Sequence, residues 1–167
     1  MDDIFDSVIA KAAGISATHP LAPVLVGRSA IIELSERSHA AALQPERPGG
    51  LSHWQRAGLA CRIARLNHED VLARHFESMI ERGEDSGRAS RIADPAFDGA
   101  DDTRLAAILR HTDLVATDPK QATADDVSAL VAADVLEEDI VRLSGLIAFA
   151  SYQIRVTQGL RLMKEVV

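Results

Sequence analysis

"LSHWQRAGLACRIARLNHEDVLARHFESMIERG", Leu51 to Gly83, holds two helical patterns back to back. Ser52 with Gln55 three residues later is a capping-box pair, which opens a helix to about Leu66. Trp54, Ala57, Gly58, Cys61 and Ala64 recur at helical spacing and make its core face. Asn67 reads as the N-cap of a second helix that ends at Gly83. On it Val71, Leu72, His75, Phe76 and Met79 form one apolar stripe. Glu69, Asp70, Arg74, Glu77 and Glu81 fall off that stripe and are expected in solvent.

The same period runs through the rest of the chain. A helix is expected from about Pro23 to Leu43, stopping before "QPERPGG", whose two prolines and two glycines make the clearest break. That break divides an N-terminal helical arm, residues 1–50, from a helical domain, residues 51–167. The first 20 residues read as an irregular arm with a short helix closed by Gly14 and Pro20. "GEDSGRASRIADPAFDGADD", residues 83–102, reads as a polar loop. Helices follow from about Thr103 to Val115, after the Thr123 and Asp126 cap, and from Leu136 to Lys164. Period-two runs of β-branched and aromatic residues are missing, so the fold class is all-α, a helical bundle with a long C-terminal helix.

Composition bounds the function. The 167 residues suit one domain with a real core, 47% hydrophobic but only 4% aromatic, so the core is aliphatic. A net charge of −7 without a basic cluster argues against nucleic acid. The longest charge-free apolar run, Leu143 to Ile154, spans roughly 18 Å of helix, too short for a bilayer. The N-terminus lacks the pattern of a secretory signal, and one cysteine allows no internal disulfide. A cytoplasmic protein is expected.

Several chemistries are excluded by spacing. His68 and His75 lie about 10.5 Å apart along a helix axis, too far to share a zinc ion, and Leu72 stands where an HExxH motif needs its second histidine. Cys61 sits on a core face, where a thiol forms little thiolate. Neither a Gly-x-Ser-x-Gly elbow nor a glycine-rich phosphate loop occurs, so no cofactor or metal is called for. His75 remains, as a satisfied core residue or as an acid/base group. On the last helix Ser144, Ala148, Ser151, Tyr152, Arg155 and Gly159 make a small-and-polar stripe beside an apolar face of Leu143, Leu146, Ile147, Ala150 and Ile154. Arg155 on that stripe calls for an acceptor, whether a structural partner, a subunit contact or a ligand.

These motifs, in this order, resemble the carboxymuconolactone decarboxylase and alkylhydroperoxidase-D-like family. "LSHWQRAGLACRIARLN" resembles its opening helix. "ATADDVSALVAADVLEEDIVRL" resembles a capped helix with a second acidic start. "LIAFASYQIRVTQGL" resembles the closing helix, with Phe149, Arg155, Gly159 and Leu160 on family positions. The likeness runs from about Leu51 to Met163 and implies an alkylhydroperoxidase-D-like bundle. The peroxidase branch carries a CxxC, a following histidine and an upstream glutamate. Registered on Asn67, those positions hold Glu69 and Leu72, Phe76 and Ala57. In the decarboxylase branch a glycine follows the histidine by eight residues, as Gly83 follows His75, but its acidic residue is Val71 here. Ile4-Phe5-Asp6 resembles the arm of a longer subgroup that lacks the CxxC and is often paired with a CxxC-containing relative.

The expected role is therefore a ligand-binding or partner subunit without the peroxidase site. The alternative is an acid/base enzyme of lyase or isomerase type acting on a small carboxylate, with His75 and Arg155 sharing a cavity and Tyr152 and Ser151 as ligand contacts. Peroxide reduction through Cys61 ranks last. The terminal helix is apolar on more than one side, and Gly145, Ala148, Ser151 and Gly159 would allow close helix contact. A homo-oligomer, as trimer or hexamer by the resemblance, is expected, with that helix or the N-terminal arm at the contact.

Overall fold

The computed structural model describes residues 3–166. Among them every regular element is helical: α1 (Val8–Ala13), α2 (Ala22–Val26), α3 (Ser29–Leu43), α4 (His53–Leu66), α5 (Asp70–Arg82), α6 (Ser86–Ala93), α7 (Thr103–Thr117), α8 (Ala124–Ala132) and α9 (Glu137–Lys164), with short 3₁₀ turns at Ile4–Asp6 and Pro119–Gln121. The all-α reading holds, and so does the long terminal helix.

Helix α4 is the axis of the fold, flanked by α5, α6, α7 and α9. Its residues from Arg56 to Ala64 are all buried. The Ser52 and Gln55 capping box forms and starts it, as does the Thr123 and Asp126 box at α8. Two arginines lie inside, which burial alone would forbid. Arg56 donates to the carbonyls of Leu51, Ala42 and Pro48. Arg62 grips both carboxylate oxygens of Asp113, at 2.5 and 2.6 Å, and donates to the carbonyls of Asp94 and Phe97. Both cations thus serve as cores for the turns that wrap them.

Three boundaries and one burial differ from the sequence expectation. The 83–102 segment contains α6, because Ala89, Ile92 and Ala93 form one buried face against α4 within an otherwise polar run. Gly58 permits that approach: a Cβ there would stand 2.8 Å from the carbonyl oxygen of Ala89. Asn67 closes α4 rather than opening α5, with its amide donating to the carbonyl of Ile63 at 2.9 Å. His68 then turns the chain at φ 55°, and Glu69 precedes α5. Glu69 is buried rather than solvated, because Arg161 of α9 meets its carboxylate at 2.7 Å. The helix expected from Pro23 to Leu43 bends at Gly27–Arg28 into α2 and α3. That bend lets Leu25 join a small cluster with Ala10, Ala13, Ile15 and Leu21.

The N-terminal segment packs on the far end of α9. Gly14 closes α1 in the left-handed conformation (φ 68°), the C-terminal position that glycine occupies without steric cost. Arg161 donates to the carbonyl of Ala12, and Lys164 to those of Ala13 and Gly14. Cations thus meet the negative end of α1. On α9 itself Leu143, Leu146, Ile147, Ala150 and Ile154 are all buried. Ser144, Ala148, Tyr152, Arg155 and Gly159 stay exposed on the other side, while Ser151 turns inward.

Candidate functional site

Three helices bring polar groups together in an apolar setting. His39 comes from α3, where Ile32, Ser35, His39 and Leu43 recur on its inner side. His75 comes from α5 and Gln153 from α9. The Nε2 atoms of His39 and His75 are 3.2 Å apart, and Nε2 of Gln153 lies 3.3 Å from Nδ1 of His39. Phe76 stacks on His39 and Phe149 meets it edge-on, at centroid distances of 6.1 and 5.9 Å. Phe76 and Gln153 are fully buried, and the histidines are half-buried.

With the Gln153 amide nitrogen turned to His39, one arrangement of protons satisfies both contacts. An amide N–H can only donate, so with the Gln153 amide in this orientation Nδ1 of His39 accepts. The His39 proton then resides on Nε2 and is donated to Nε2 of His75, which leaves the His75 proton on Nδ1. The chain Gln153 to His39 to His75 runs in one direction, with both rings neutral. Burial pushes His75 down to about 4, with the neighbouring His39 and Arg82 adding to the effect. Burial lowers His39 as well. A neutral imidazole pair of this kind is a hydrogen-bonding device at neutral pH and a weak proton acceptor. Oε1 of Gln153 and Oγ1 of Thr157, one turn apart on the inner side of α9, are buried with no hydrogen-bond partner among the described residues.

A cleft of about 430 Å³ opens one helical turn beyond the histidines. Leu43 and Met79, which line it, follow His39 and His75 by four residues on their helices, and Trp54, Arg82 and Gly83 add to its walls. Arg82 also donates to Oγ of Ser78 at 3.1 Å.

The residues singled out in the sequence separate here. Arg155 is exposed on α9 with no hydrogen bond or ion pair among the described residues, and Gln153, from the opposite side of that helix, reaches the histidines instead. The cation whose charge bears on His75 is Arg82, seven residues further along α5. Tyr152 is half-exposed, with its hydroxyl 2.7 Å from that of Ser35, and Ser151 is buried. Cys61 is fully buried, its thiol 3.6 Å from the carbonyl oxygen of Ala73, and burial pushes it up to about 11. No group of three His, Cys, Asp or Glu side chains is placed to hold a metal ion among the described residues. No helix among them is long and apolar enough to cross a membrane.

Sequence reasoning passed over His39, Gln153 and Arg82. His39 could have been found, because a histidine in register with Ile32, Ser35 and Leu43 marks a polar group on an inner stripe. Gln153 had no such signal inside a long apolar helix. No family model, curated protein or solved structure matches the chain.

Proposed function

We propose that the chain is an alkylhydroperoxidase-D-like protein without the CxxC site, acting as a small-molecule-binding or partner subunit in the cytoplasm. The order of motifs from Leu51 to Met163 and the helical fold support this reading. One observation carries the functional half of it: the neutral His39–His75 pair, oriented by Gln153, lies next to a cleft bearing Trp54 and Arg82. Trp54 and Arg82 line that cleft, with the histidine pair one turn back along α3 and α5, and Arg82 favours an anionic ligand there. Cys61, inaccessible and high in pKa, argues against thiol peroxidase chemistry.

The test is a thermal-shift and calorimetric survey of small carboxylates on the wild type and on His75→Ala and Arg82→Gln. Saturable binding weakened by both changes supports the reading. Binding indifferent to both overturns it.

A second reading, proton transfer by His75 on a small carboxylate held by Arg82, is favoured by the nearness of Arg82. It predicts a rate that is flat above about pH 5 and falls towards the His75 value of about 4. Absence of turnover with carboxylates that bind would retire it.

Homo-oligomer formation belongs to the same proposal. Val24, Val26, Ile31 and Leu34 on α2 and α3 are exposed, as are Val141, Tyr152, Leu162 and Met163 on α9. The Tyr152–Ser35 hydrogen bond sets the two surfaces side by side. A second copy, or a CxxC-containing relative, would cover this apolar face. Light scattering at micromolar concentration showing only the 18.0 kDa species would end the self-association half.

A further inference from the structure

A larger cleft lies between α7, α8 and the turn at residues 94–98, and shares no lining residue with the cleft beside the histidine pair. Its volume is about 650 Å³, within the roughly 300–1,000 Å³ range of small-molecule pockets. Five alanines line it, Ala106 and Ala107 from α7, Ala129 and Ala132 from α8, and Ala133 at the end of α8. Where the two helices present only these Cβ atoms they leave a shallow apolar slot between the larger α7 side chains Leu109 and Arg110, which suits a flat group better than a branched one. Phe97 adds an aromatic wall and is itself held by Arg91, whose guanidinium sits 4.4 Å above its ring.

The charges on the walls decide what the slot would accept. Asp113 is spent on Arg62, which binds both of its oxygens. Asp98 folds back to accept the backbone N–H of Ala100 at 3.0 Å. Arg110 is exposed and has no hydrogen bond or ion pair among the described residues. The acidic group that faces it, Asp126, is engaged by the N–H and hydroxyl of Thr123 in the α8 cap. Asp98 thus keeps its charge but is turned towards its own backbone, and among the described residues Arg110 is the cation on the cleft with no hydrogen bond or ion pair, its planar fork matching a carboxylate.

We propose that this cleft is a second ligand site, taking a flat apolar carboxylate with its ring in the alanine slot and its carboxylate on Arg110. The proposal does not rest on the histidine site, and its test reads different residues.

Three probes of one shape separate the terms: 2-naphthoate, its uncharged primary amide, and 2-naphthylmethylammonium. Titrations are followed by calorimetry and by backbone amide chemical shifts along the whole chain. The acid should bind saturably, with shifts confined to α7, α8 and the turn before α7, and should bind more tightly than the amide or the ammonium. Arg110→Gln, an exposed change, should weaken the acid roughly tenfold or more and leave the amide unaltered, as loss of a charge-assisted contact requires. Ala129→Phe, checked for an unchanged circular dichroism spectrum, should fill the slot and abolish both. Equal affinity for all three probes, an acid affinity indifferent to Arg110→Gln, or no saturable binding of the acid at millimolar concentration would each overturn the proposal. Shifts at His39, His75 and Gln153 alone would place the ligand at the histidine site and overturn it equally.

Discussion

His39 of α3 and His75 of α5 meet ring nitrogen to ring nitrogen, Nε2 to Nε2 at 3.2 Å. Two imidazolium ions cannot occupy that geometry, because each N–H would point at the other and their charges would repel in a poorly solvated setting. The contact therefore requires at least one neutral ring, and Gln153 lies 3.3 Å from the other nitrogen of His39, Nδ1.

A pH dependence follows. His75 titrates at about 4 in the folded chain against an ordinary value of 6.5, so the unfolded chain takes up the proton first as the pH falls. The stability that this difference supplies is complete above about 6.5 and is lost as the pH falls through about 4. Urea titrations at pH 7 and pH 5 should show a loss in wild type that is smaller in His75→Phe. The His75 resonances should show that ring still neutral at pH 5.5. A His75 midpoint near 6.5 would contradict the burial argument. Since the rings interact, the midpoints measured belong to the pair.

Cys61 should be inert. Its thiol is fully buried and pushed up to about 11, so a disulfide reagent should modify it only on unfolding. Cys61→Ala should leave any peroxide consumption by the protein unchanged and cost on the order of 1 kcal/mol in packing. Stoichiometric labelling of the native protein within seconds would refute its burial.

The Arg62–Asp113 pair should matter more than any exposed pair. Arg62 is 97% buried, so Asp113→Ala strands a guanidinium in the interior and should cost about 3 kcal/mol in a urea titration. The pair Lys11–Asp6 has both side chains mostly in solvent. Lys11→Ala should therefore cost less than about 1 kcal/mol. Equal effects would mean that burial does not set the hierarchy.

Glycines divide in the same way. A Cβ on Gly50 would fall 2.0 Å from Oδ2 of buried Asp139, which also accepts the Gly50 N–H at 2.9 Å, so Gly50→Ala should displace that carboxylate and destabilise strongly. Gly145 and Gly159 of α9 meet nothing within 4 Å. Alanine at either should raise the stability of the single chain by up to about 1 kcal/mol. If α9 forms the contact between copies, the same changes should weaken assembly by light scattering while raising monomer stability. Unchanged assembly would place the contact elsewhere.

Local sequence was enough for the helical class, both capping boxes, the buried face of α9 and the burial of Cys61. Each depends on a periodicity of 3.6 or on a side chain reaching three residues along its own backbone, so the determining atoms are neighbours in sequence. Three other features were decided only when distant segments met. Helix α6 emerges from a polar run because Gly58, about thirty residues earlier, lets its small apolar face approach α4. Glu69 goes inside because Arg161, 92 residues away, arrives to neutralise it. The candidate site likewise joins His39, His75 and Gln153, whose partners are 36 and 114 residues apart, and it leaves Arg155 on the outer side of its helix. Spacing along a chain encodes which face of a helix a residue occupies. Which face of which other helix it meets depends on packing between elements, and that packing set the protonation and pairing of these groups.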